Sequence, residues 1–151
     1  MKIVKIIVTV LLVVFVGIQF VSTERNQSDV IPTTDFMLVN TVPNNIKSKL
    51  QVSCYDCHSN NTAYPWYNKI QPTAWFLEDH IKEGKAELNF SEWDSLSNRR
   101  KTSKLRSIIK QIESDKMPLD SYTLIHKDAI FSEVEKTMVV NYMKQLKDSL
   151  Q

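Results

Sequence analysis

Five consecutive residues, Cys54-Tyr55-Asp56-Cys57-His58, constrain this chain more than any other feature. Two cysteines three apart on a helical turn lie on the same side. Their sulfurs can therefore reach neighbouring edges of one planar ligand. The next residue is rotated about 100° further round the turn, which aims the His58 imidazole at the ligand's centre from one face. Two vinyl groups and an iron suit that arrangement: two thioether bonds and one axial nitrogen. The C-x-x-C-H spacing reads as c-type haem attachment, and a proximal histidine is a common iron ligand.

Two other chemistries use the same residue types. A thiol–disulfide site expects a βαβ context, whereas the flanks here read as helix and loop. Structural zinc needs four ligands. Cys54 and Cys57 are the only cysteines, so the fourth would have to come from His80 or His126.

The first two dozen residues differ from the rest. Lys2 and Lys5 precede an apolar run, and the span Ile3 to Val21 counts 19 residues. At about 1.5 Å per residue this nearly covers a hydrocarbon core of about 30 Å. The leading positive charge predicts a single-pass anchor over residues 1–22, with the N-terminus in the cytoplasm and the body on the periplasmic side of the cytoplasmic membrane. A cleaved signal peptide is the alternative. Export favours haem, because bacteria attach it covalently on the far side of that membrane. Residues 23–42 read as a linker, touching the domain through Phe36 and Leu38 if at all. Residues 43–151 have the length of one ordinary domain.

That domain reads as all-α. The whole chain has only 2 glycines, too few for a β-rich fold with many tight turns. Pro43–Gln51 predicts a short helix running into Cys54. Pro72–Glu83 predicts another, with Gly84 at the helix-ending left-handed position. Leu105, Ile108, Ile109 and Ile112 form a helical stripe over 99–114. Ser132 and Glu135 form a capping-box pattern, followed by Val134, Met138, Val139, Tyr142 and Leu146 on one face. Tyr64, Trp66, Tyr67, Trp75, Phe90 and Trp93 are read as core around the haem. Arg99, Arg100, Lys101, Lys104, Arg106 and Lys110 read as a solvated helix face, with a docking patch for an acidic partner as the alternative. Net charge is +2, and no aromatic-and-basic pattern suggests nucleic acid.

The sixth iron ligand stays open on residues alone. Met117 lies in a loop just before Pro118, where a thioether could lean on the iron. His80 and His126 are the fallbacks.

The segment CYDCHSNNTAYPWYNKIQP, then NFSEW, KMPL and the His126 loop before SEVEK, resembles the bacterial haem-binding domain family. The resemblance implies a small, membrane-anchored, cytochrome-c-like helical module around one covalent haem. It implies haem attachment at Cys54 and Cys57, His58 as proximal ligand and Met117 as distal ligand. Two axial ligands leave no open position on iron. The expected task is thus one-electron transfer with a membrane or soluble redox partner, rather than catalysis. A peroxidase or gas sensor with an open sixth position is the alternative.

Overall fold

The computed structural model describes residues 1–28 and 30–150; Asp29 of the expected linker and Gln151 at the end of the expected haem domain lie outside it. Every regular element among the described residues is helical. Five helices of seven residues or more carry the architecture: α1 (Lys2–Ile18), α2 (Asn44–Leu50), α3 (Thr73–Glu87), α4 (Asn98–Glu113) and α5 (Glu133–Asp148).

The expected membrane span is overturned. No helix among the described residues is long and apolar enough to cross a membrane. Helix α1 has 17 residues, about 25 Å against the roughly 30 Å of a hydrocarbon core. It stops because Gln19 turns onto the body: Gln19 Oε1 accepts from the Gln71 backbone N–H at 2.9 Å, and Gln19 Nε2 donates to the Gln71 carbonyl at 3.2 Å. Gln71 Nε2 in turn donates to the Val21 carbonyl at 3.0 Å. Phe20 and Val21, counted in the apolar run, therefore lie beyond the helix. The single-pass placement in the cytoplasmic membrane loses its spanning element with it.

The core forms where α4 packs on α5, closed by α2 and by short turns. Leu105, Ile108, Ile109 and Ile112 are all buried, as their spacing predicts. On α5 the buried face is Val139, Val140 and Met143, while Val134 is 78 % exposed. The first turn of α5 meets its neighbours through ion pairs, Glu135 with Lys49 at 3.2 Å and Lys136 with Asp115 at 2.5 Å, and Val134 faces solvent.

Phe36 is fully buried although it sits in a four-residue helix, Phe36–Val39. Asp35 caps that turn by accepting from the Met37 N–H at 2.8 Å. The Phe36 ring then meets Phe90 and Trp93 edge-on at 5.2 and 5.0 Å between centroids. Edge-to-face pairs add about 0.5–1.5 kcal/mol each beyond burial. Of the expected aromatic core, Phe90 and Trp93 are buried and Trp66 is exposed.

Candidate functional site

The chain runs without a break from α2 through a π-helical turn, Gln51–Tyr55, into Asp56–His58. Single π turns inside helices are often found at functional sites. This one contains Cys54. It is gripped from behind by the segment before α5: Lys49 Nζ donates to the Asp128 and Ile130 carbonyls at 2.8 and 2.7 Å, and Ser53 Oγ donates to the Ala129 carbonyl at 2.8 Å. Tyr122 Oη donates to the Asp56 carboxylate at 2.8 Å and lies 3.0 Å from the Val52 carbonyl.

On the other side lies α3. Gly84 was expected to end this helix, but the helix continues to Glu87 and no glycine has a positive φ. Its role is close approach. A Cβ on Gly84 would stand 2.8 Å from the Cys57 carbonyl oxygen. Without one, α3 presses on the Cys57-His58 backbone and brings to the imidazole the Gly84 carbonyl, which also accepts from the Leu88 N–H at 2.9 Å, and the Leu88 carbonyl just past its end. His58 Nδ1 lies 2.8 Å from the Gly84 carbonyl and 3.0 Å from the Leu88 carbonyl. Both partners are acceptors, so Nδ1 carries the proton and the lone pair is on Nε2. Nε2 has no hydrogen-bond partner among the described residues. Burial lowers the His58 pKa and favours the neutral ring. A metal-binding histidine commonly donates its second nitrogen to a carbonyl in this way, which fixes both tautomer and orientation.

Two cavities, of about 300 and 260 Å³, adjoin at this imidazole. Cavities of about 300–1,000 Å³ are typical for cofactors and ligands. Ser53, Cys54, His58, Glu87 and Met117 line both. Cys57, His80 and Tyr122 border the first only; Phe90, Lys104, Ile108 and Ile112 border the second only.

The predicted residues thus divide. Cys54, Cys57, His58 and Met117 come together across 63 residues of sequence. Met117 sits in the loop after α4, with its backbone N–H on the Gln111 carbonyl at 3.4 Å. His80 stands at the rim, its Nδ1 2.8 Å from the Phe76 carbonyl. His126 is not at either cavity. It stacks on Tyr122 at 4.2 Å and meets Tyr67 Oη at 2.9 Å. Sequence reasoning missed Tyr122, Glu87 and the placement of Lys104.

Both thiols are free. Burial pushes Cys54 up to about 12 and Cys57 up to about 11, the opposite of a redox-active cysteine, which needs a lowered pKa. Among the described residues no three His, Cys, Asp or Glu side chains converge as ligands for a metal ion. The zinc reading therefore lacks its geometry. Two thiols, an imidazole with one unbonded nitrogen and a thioether, all lining the same pair of adjoining cavities, make a donor set that suits a broad planar ligand with a metal at its centre.

That donor set is of the class that suits a porphyrin. The sequence model of the family described as the haem-binding domain matches residues 13–145, and the chain belongs to that family. It is a haem-binding protein. No curated protein and no solved structure matches the chain.

Proposed function

We propose that the protein holds one haem c and passes single electrons through it. The observation that carries this reading is the His58 ring: Nδ1 is tied to the Gly84 and Leu88 carbonyls, while Nε2 faces a cavity shared with Cys54 and Met117.

Cys54 and Cys57 would hold the haem by thioether bonds, each S–H adding across one vinyl double bond so that no oxidant is consumed. His58 would supply a nitrogen ligand and Met117 a sulfur ligand to the iron. The bound haem supplies an Fe(III)/Fe(II) couple, and His/Met ligation favours the reduced state relative to harder ligands. Ile108, Ile112, Phe90 and Met117 give the cavity an apolar wall. Thiols locked by thioether bonds cannot dissociate with the cofactor, so the carrier keeps its haem in both oxidation states.

Protein coexpressed with a cytochrome c maturation apparatus tests this. The expected product is red, its denatured mass exceeds that of the polypeptide by one haem, and the ferric form has the weak near-infrared band of sulfur–iron bonding. A colourless product of bare-chain mass refutes the attachment. Immediate carbon monoxide binding by the reduced wild type refutes Met117 ligation, and supports instead an open-site peroxidase or gas sensor.

A further inference from the structure

We propose that Lys104 binds the haem propionates, so that the carboxylate edge of the ring exits along α4 and not past α3. This rests on the reading of the cavities as the haem site. Lys104, Ser107 and Gln111 follow each other at i, i+3 and i+7 on the wall of the second cavity, beside the apolar Ile108 and Ile112. This is one helix face with an apolar floor and a polar rim. The stem of Lys104 covers apolar surface while its head stays at the edge. Its ammonium donates to the main-chain carbonyl of Glu87, and it has no carboxylate partner among the described residues. Its neighbour Lys101 is already paired with Asp94 at 2.6 Å. Neither Ser107 Oγ nor the Gln111 side-chain amide is bonded to another described residue, so both remain free to donate.

Charge decides between the two rims. The first cavity is bordered by Asp56 and Glu83 as well as Glu87, and its only basic side chains are His58 and His80, with no lysine or arginine. Two ionised propionates there would face carboxylates of like sign. The second cavity has Glu87 as its only carboxylate and holds the one unpaired cation of either lining. A charge-assisted bond from an ammonium to a carboxylate is roughly twice as strong as a neutral one. Because the two thioethers fix the ring's orientation, one rim must receive both carboxylates.

The test is a spectroelectrochemical titration of the holoprotein, first verified by mass to carry its haem. A verified bare chain would sink the haem reading and this proposal with it. Removing the cation leaves propionate charge uncompensated, which favours ferric iron. Lys104→Gln is expected to raise the ferric-to-ferrous ratio at a fixed potential by about three- to tenfold, the scale of a partly exposed charge pair. Lys104→Arg is expected to restore it to within about twofold. Arg106 lies on the opposite face of α4, so Arg106→Gln is expected to leave the ratio within about twofold. Gln111→Glu, which keeps Lys104 and sets a carboxylate at the same rim, is expected to raise it. The proposal is overturned by a wild-type ratio in Lys104→Gln, by an equal shift in Arg106→Gln, or by no change in Gln111→Glu should Lys104→Gln fail to accumulate.

Discussion

A Cβ on Gly84 would meet two atoms of Cys57, the carbonyl oxygen at 2.8 Å and Cβ at 3.3 Å. The oxygen is main chain and the Cβ is the root of the side chain, and Lys49, Ser53 and Tyr122 hold the turn just before Cys57 from behind, which leaves it little room to recede. Gly→Ala in a helix interior normally gains up to about 1 kcal/mol. Forcing an atom into a close contact costs about 1–3 kcal/mol, and here the second effect wins. Gly84→Ala is expected to lower unfolding free energy by about 1–2 kcal/mol in urea titration and to reduce the haem-to-protein ratio. Met117→Ala has a different signature. It is expected to leave the haem attached while opening the iron to carbon monoxide in the reduced state, read as a spectral shift on gas addition. Local spacing and a neighbouring proline single out the cysteines, His58 and Met117 as candidates in the sequence, and the structure brings these four to adjoining cavities; that they hold haem is the proposal above. The role of Gly84 was not legible. A glycine that ends a helix and one that lets two backbones touch look alike until the second backbone is known.

At the level of elements, the last helix carries its own start signal. Ser132 Oγ accepts from the Glu135 N–H at 3.3 Å, and Glu135 Oε2 accepts from the Ser132 N–H at 2.8 Å. The Ser132 hydroxyl also donates to Glu135 Oε2 at 2.8 Å, and the bonds that the carboxylate accepts, from the Ser132 backbone first and its hydroxyl second, hold Glu135 below its usual carboxylate range. A depressed carboxylate pKa means stability that is complete above the ordinary value and lost as pH falls through the folded one. Ser132→Ala is expected to cost about 1 kcal/mol at pH 7. Glu135→Gln is expected to destabilise at pH 7 and to converge on the wild type as pH falls through the depressed folded value of Glu135, both read from urea midpoints across pH. This cap was readable because it spans four residues. Phe36 lies at the other extreme. A single helical turn has no period to detect, so nothing local marks that ring as the centre of the core. Its burial follows from Phe90 and Trp93, more than fifty residues away.

The whole molecule is held together around space that its own side chains do not fill. An apolar cavity left empty forfeits contacts on every wall. A haem-free Cys54→Ala/Cys57→Ala protein is therefore expected to melt earlier and more broadly than the holoprotein in circular dichroism. The N-terminal region is fastened to the same body. Asn26 reaches the Ser59 carbonyl at 2.8 Å and Thr62 Oγ1 at 2.9 Å, and Lys85 Nζ donates to its side chain at 2.6 Å. Reading residues 3–21 as one apolar length missed where the helix would stop, because Gln19 is diverted by Gln71, a partner that hydropathy along the chain does not register.

The clamp behind the π turn has a consequence for timing. Its carbonyls belong to Asp128, Ala129 and Ile130, far downstream of the thiols they help enclose. Until that late stretch has been made and has docked, Cys54 and Cys57 remain solvated and able to ionise; afterwards, burial holds them protonated. A protonated thiol is a poor nucleophile. On the attachment proposed above, bond-making at the cysteines would belong to the young, open chain, and closure of the fold over the cofactor would come second.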